Sequence, residues 1–214
     1  MNLEILVEER SAEQALCSLL PRIVPGVEFE VHVFQGKPDL LKKLPNRLKG
    51  YSSWITQENT SVVVLVDRDD DDCLALKADI EKMASAAGLL TATTAAVSRR
   101  VHVLNRIAVE ELEAWFFGDV PALCMAYPRV PSSLEKKAKY RDADAIAGGT
   151  CEALERVLQE YGYHRGGLAK VVAATEIAQH MNVLPQFSGV SGRSATTRRW
   201  RQPCRAGLTS RMYW

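Results

Sequence analysis

A chain of 214 residues, 47% hydrophobic and 25% charged, has enough apolar side chain to bury a core and the composition of an ordinary globular protein. No apolar run approaches membrane-spanning length, and the N-terminus, MNLEILVEERSAE, lacks a basic stretch followed by an apolar one, so we expect a cytoplasmic protein with no membrane association. The net charge of +1 is unevenly spread: Ser191 to Trp214 carries six arginines and no acid, which leaves the preceding residues at −5.

A body of that sign does not bind nucleic acid by charge alone, because phosphate contacts need lysine and arginine. Such binding would require local basic patches, the tail, a bridging metal or a partner. The five cysteines never form a CxxC pair and the four histidines show no ligand spacing, so no zinc site is indicated and the cysteines are expected as buried thiols. GxxxxGK[ST] is absent, which excludes a P-loop ATPase in this chain itself.

In chain order, Leu3 to Val7 is a short apolar strand delivering Glu8 and Glu9 to its C-terminal end. Ser11 is placed to cap a helix from about Ala12 to Leu20. Phe29, Val31 and Val33 alternate with Glu30 and His32 as a second strand, and Gly36-Lys37-Pro38 turns the chain into a helical pattern over 39–49 that Pro45 should break or restart. Val62 to Val66 reads as a strand buried on both faces of a parallel sheet. An amphipathic helix over Leu74 to Ala87 follows, ended by Gly88. Val101 to Leu104 is the fourth strand, and an acidic, aromatic helix over Val109 to Phe117 ends at Gly118. Beyond Val120 only helical segments are evident, near Ser133 to Tyr140, Cys151 to Tyr161 and Leu168 to His180.

The order β-α-β-α-β-α-β predicts an α/β fold, a mostly parallel sheet of about four strands flanked by helices, with a helical C-terminal half. We expect residues 1–118 as the α/β domain, 119–184 as a helical extension packed on it, and 185–214 as an irregular arginine-rich tail.

The chemistry concentrates in SVVVLVDRDDDDC, Ser61 to Cys73, where an apolar strand runs into five aspartates. Carboxylates at the C-terminal edge of a parallel strand lie where open α/β sheets bind ligands. Crowded carboxylates repel unless a cation neutralises them or a proton is taken up, and hard oxygen ligands favour magnesium or manganese. Asp70, Asp71 and Asp72 read as electrostatic support for the next helix. If strand one neighbours strand three, Glu8 stands beside Asp67 and Asp69.

A strand ending in Glu, followed two strands later by one ending in Asp-x-Asp, resembles the Toprim domain of primases, topoisomerases and overcoming-lysogenisation-defect nucleases. VFQGKPDLLKKLPNRLKGY, LVDRDDDDC, LNRIAVEELEAWFFGD, KYRDADAI and GTCEALERVL together resemble the bacterial Toprim-like (Rossmann-like) family of domain of unknown function 4276, over residues 3 to 184. The resemblance implies divalent metal, Mg2+ or Mn2+, held by Glu8, Asp67 and Asp69 with Glu113 as a fourth acid, and phosphoryl chemistry on DNA or RNA. It also implies an ATPase partner in a phage-defence setting. The Toprim glycine after the first acid is replaced by Glu9.

Glu8 is also a candidate general base, and Lys170 and Lys37 are candidate phosphate contacts; Glu110, Glu111 and Glu113 cannot all face one metal, and those that do not are expected to face solvent. The expected function is a metal-dependent nuclease or related phosphodiester-cleaving enzyme. The competing expectation is a catalytically silent interaction module that binds a protein partner or nucleic acid.

Overall fold

The computed structural model describes residues 1–55, 58–95 and 100–183. Four strands, β1 (Asn2–Val7), β2 (Glu28–Val33), β3 (Thr60–Asp67) and β4 (Val103–Ala108), form one sheet in the order β2-β1-β3-β4. Every pairing is parallel. Chain direction across the sheet therefore reverses at β1, which lies between β2 and β3, and the fold is Rossmann-like α/β.

The β-branched run of β3 makes it the sheet's centre, since all residues from Thr60 to Val66 are buried. Its side chains alternate between two cores. On one face Val62, Val64 and Val66 meet α2 (Lys37–Ser52) and α3 (Cys73–Ala86) through Leu40, Leu44, Leu48, Leu76 and Ile80. On the other, Val63 and Leu65 join Ile5 and Val7 of β1 and Leu16 and Leu19 of α1 (Arg10–Ile23).

That second core continues into the C-terminal half without a break. It takes in α4 (Glu113–Gly118), α5 (Val120–Ala126), α6 (Thr150–Glu160) and α7 (Lys170–Ala178), through Phe116, Leu123, Leu154 and Ile177. α7 packs along α1, and Arg22 clasps its end by donating to the carbonyl oxygens of Ala178 and Met181. Among the described residues no helix is long and apolar enough to cross a membrane. The expected arginine-rich tail over 185–214 lies outside the described residues.

Several local expectations are corrected. Pro45 does not break α2, because Leu40, Leu44 and Leu48, spaced four apart on one face, are fully buried and hold the helix through it. Glu9, not Ser11, is the N-cap of α1; Ser11 lies inside the helix and its hydroxyl donates back to the Glu9 carboxylate. β4 lies over 103–108 instead of 101–104, since the polar Asn105 is buried and its amide donates to Glu81 of α3 at 3.0 Å. The helix expected from Val109 begins only at Glu113, after Glu110 takes a left-handed turn at φ 63°. The segment near Ser133 to Tyr140 forms short 3-10 turns over Ser132–Lys136 and Ala138–Tyr140. Cys17, Cys124 and Cys151 are free but at least partly exposed, and Cys73 is in a disulfide, so the expectation of buried thiols fails for these four.

Candidate active site

The register determines which acids meet. Val7 pairs with Leu65 across β1 and β3, so Glu8 and Asp67 emerge side by side at the C-terminal edge of the sheet. The Asp67 backbone N–H donates to Glu8 Oε1 at 2.7 Å. The Gly36 N–H donates to the Glu8 carbonyl at 2.9 Å and ties the β2–α2 turn to the same edge.

Burial pushes the Glu8 carboxyl up to about 7, against the Asp67 N–H bond and the Lys37 charge. Burial, followed by the charges of Glu8 and Glu113, pushes Asp67 well above the usual carboxylate range. Glu113, at the start of α4, is only 1% exposed, and among the described residues its Oε2 has no hydrogen-bond partner. Burial likewise pushes its carboxyl up to about 7, although Lys170 opposes the shift. Three carboxylates from β1, β3 and α4 thus carry more negative charge than this edge solvates well.

Lys170 opens α7 and reaches back to the first strand's exit, 3.6 Å from Glu9 Oε1 and 3.9 Å from Glu113 Oε1. Burial alone would lower its affinity for a proton, but Glu113 and Glu9 outweigh that and raise it, so the side chain is a firm cation. The Cys151 thiol beside it is pushed up to about 12 by burial and by Glu113, so it is not a nucleophile at neutral pH.

Asp69 turns elsewhere. It is exposed, sits at φ 48°, and its Oδ2 lies 2.7 Å from the Lys37 ammonium. Lys37 itself is buried, so the expectation that it contacts phosphate is corrected: the ammonium is committed to Asp69, Asp71 and the Arg68 carbonyl. Asp72 caps α3, accepting from the Ala75 N–H at 2.7 Å, as its position before a helix suggested.

The expectation that the acids other than Glu113 on this segment face solvent is also corrected. Glu110 pairs with Arg68, and Glu111 Oε2 accepts from the Thr150 hydroxyl at 2.9 Å and the Cys151 N–H at 2.8 Å, so it caps α6. Sequence reasoning passed over Glu9 as a partner of Lys170; a signal was available in the glutamate standing where the related pattern has glycine.

A second polar cluster lies across β1 and β2. Among the described residues, Glu4, Glu30 and His32 are the group whose ligand-type atoms all lie within 4.8 Å of one another; the strand-end acids are not gathered that tightly. Glu4 Oε2 accepts from Tyr51 at 3.0 Å and meets His32 Nε2 at 2.6 Å, while the Arg47 guanidinium faces His32 Nδ1 at 3.3 Å. Arginine can only donate, so Nδ1 is the acceptor and Nε2–H donates to Glu4. The cluster is internally satisfied.

At the strand ends, by contrast, Glu113 Oε2 has no hydrogen-bond partner among the described residues, and Glu8, Asp67 and Glu113 offer oxygen donors only. Fold and site together define a Rossmann-like parallel α/β protein with a set of buried acids at its strand ends. The chain belongs to the family described as Domain of unknown function (DUF4276), which matches residues 7–185 and so spans Glu8, Glu9, Asp67, Asp69, Glu113 and Lys170. No curated protein and no solved structure matches it.

Proposed function

We propose that the chain is a divalent-metal-dependent phosphodiester-cleaving enzyme, a nuclease acting on DNA or RNA with Mg2+ or Mn2+. The observation that carries this reading is the buried Glu113 Oε2, without a hydrogen-bond partner among the described residues, on a carboxylate whose charge is felt by Asp67, with the Lys170 ammonium 3.9 Å from the other Glu113 oxygen. The similarity of Glu8 and Asp67-x-Asp69 to the Toprim pattern supports it.

In this reading Glu8, Asp67 and Glu113 hold the ion, with Asp69 alongside as the resemblance implies. Such an ion supplies charge stabilisation at a phosphate and lowers the proton affinity of water. Alternatively Glu8, tied to the Asp67 N–H, serves not as a ligand but as the base that accepts a proton from the attacking water. Lys170 offsets charge that develops on phosphate oxygens. An ATPase partner in phage defence extends the same proposal.

Plasmid, linear DNA and RNA incubated with the purified chain and Mg2+ or Mn2+ test it, beside an Asp67→Ala/Asp69→Ala variant. Metal-dependent cleavage lost in the variant is the expected result. Cleavage that persists there removes the assigned site. No cleavage by the wild type, alone or with a co-purifying ATPase, favours the silent interaction module, a reading supported by Asp69 turning to Lys37 instead of the other acids.

A further inference from the structure

The residues before Ser191 sum to −5, yet residues 136–141, KKAKYR, hold four cations and no acid. The run is anchored from within. Leu134 and Tyr140 are buried in the core that joins the sheet to the C-terminal helices, and the Tyr140 N–H donates to the Lys137 carbonyl at 3.0 Å. With those two side chains turned inward, Lys136, Lys139 and Arg141 are left exposed. The Arg141 guanidinium donates to the Lys136 carbonyl at 3.5 Å, which draws the two ends of the run together. Lys137 is matched by Glu160 at 3.6 Å, but among the described residues Lys136, Lys139 and Arg141 enter no ion pair. Of the acids that bound the run, Glu135 and Asp142, the second turns to accept from the Asp144 N–H at 3.2 Å.

The run is also fixed against the helix that carries Glu113. Tyr140 stacks on Phe117, ring centroids 5.1 Å apart and planes 19° from parallel. Phe117 lies in α4 one turn after Glu113, on the same side of the helix and about 6 Å along its axis. Just beyond the run, the turn at Ala143–Ala145 packs on α4 as well, and Asp144 within it feels the charge of Arg68, the residue between Asp67 and Asp69. Buried carboxylates repel a polyanion, so one reaches this edge only where nearby cations offset that repulsion.

We propose that Lys136, Lys139 and Arg141 form the surface on which a nucleic acid lays its phosphate backbone alongside α4. The proposal takes its substrate class from the nuclease reading above and gives that substrate a place on an otherwise acidic body. The three side chains contact phosphates and not bases, so they hold the strand without reading its sequence.

The test is fluorescence anisotropy of the full chain with a short labelled DNA duplex and, separately, a single-stranded RNA, in EDTA and over a range of salt. Three phosphate contacts steepen the plot of log affinity against log salt by about 2 to 3. Lys136→Gln/Lys139→Gln/Arg141→Gln should flatten the plot by that amount on at least one probe, and Lys136→Arg/Lys139→Arg/Arg141→Lys should keep the wild-type slope. Lys42→Gln/Lys49→Gln/Lys82→Gln removes the same charge from exposed positions of α2 and α3, on the other face of the sheet, and should also keep it. No binding by the wild type, an unchanged slope in the first variant, or an equal loss in the third overturns the proposal. Because no metal is present, binding that depends on the run upholds it even where the cleavage assay with Mg2+ or Mn2+ removes the nuclease reading.

Discussion

The Asp67 N–H donates to the Glu8 carboxylate at 2.7 Å, joining the exits of β3 and β1 through one side chain. The bond aligns the two strand ends, but it satisfies only one oxygen of a carboxyl that burial has already made reluctant to ionise.

That reluctance gives a pH dependence with a definite sign. Glu8 and Glu113 have carboxyls near 7 in the folded chain and near 4.5 when unfolded, so the native state binds more protons in between. The stability these two carboxyls give the metal-free chain should be fully present below about pH 4.5 and be lost as pH rises through 7. For the buried Glu113 the change is at most about 3 kcal/mol. Glu113→Gln should flatten that fall and make the metal-free chain more stable than wild type at pH 8. Urea melts across the pH range check both statements.

Divalent ions should reverse the pattern. Mg2+ at about 100 times its dissociation constant should stabilise the chain by roughly 2.7 kcal/mol. Binding should release protons below pH 7, because the ligands must ionise. An Asp67→Asn/Glu113→Gln chain should show neither effect by differential scanning calorimetry and proton-release titration.

Asp72→Ala should cost about 1 kcal/mol, since it removes the side-chain acceptor for the Ala75 N–H at the start of α3. Equilibrium urea unfolding checks this. The site lies elsewhere in the loop, so Mn2+ affinity should stay within about twofold of wild type, a difference under 0.5 kcal/mol.

Gly149→Ala should cost about 1–2 kcal/mol, because Gly149 precedes α6 at φ 82° and an added Cβ would meet the Glu152 carboxylate at 2.1 Å. Glu152 can swing away, so the left-handed backbone carries most of the cost. The Glu111 cap lies immediately beyond, and amide exchange at Cys151 should speed up in the same variant.

Sequence pattern revealed the parts of the fold that depend on short-range periodicity. The β-branched run of Val62 to Val66 and the acids that end it are legible because a strand buried on both faces leaves few other residue types possible. The pairing of Glu8 with Asp67 followed once β1 was placed beside β3. The extent of β4 was hidden because Asn105 looks like a strand end until Glu81, packed from α3, supplies its partner. Lys37 was misjudged for the same reason. Its partner Asp71 lies 34 positions on, and nothing in the local Gly-Lys-Pro turn indicates that the lysine is buried.

Lys170 belongs to the last helix of the described chain, yet its ammonium meets Glu9 at the exit of the first strand. During synthesis the sheet and its acids leave the ribosome well before α7 does, and domains fold from the N-terminal side as they emerge. Glu9 and Glu113 therefore lack this countercharge until nearly all of the described chain has been made. A prematurely terminated product carrying all four strands would keep Glu8 and Asp67 but lack the ammonium opposite Glu113, so truncated chains would be born without a finished site.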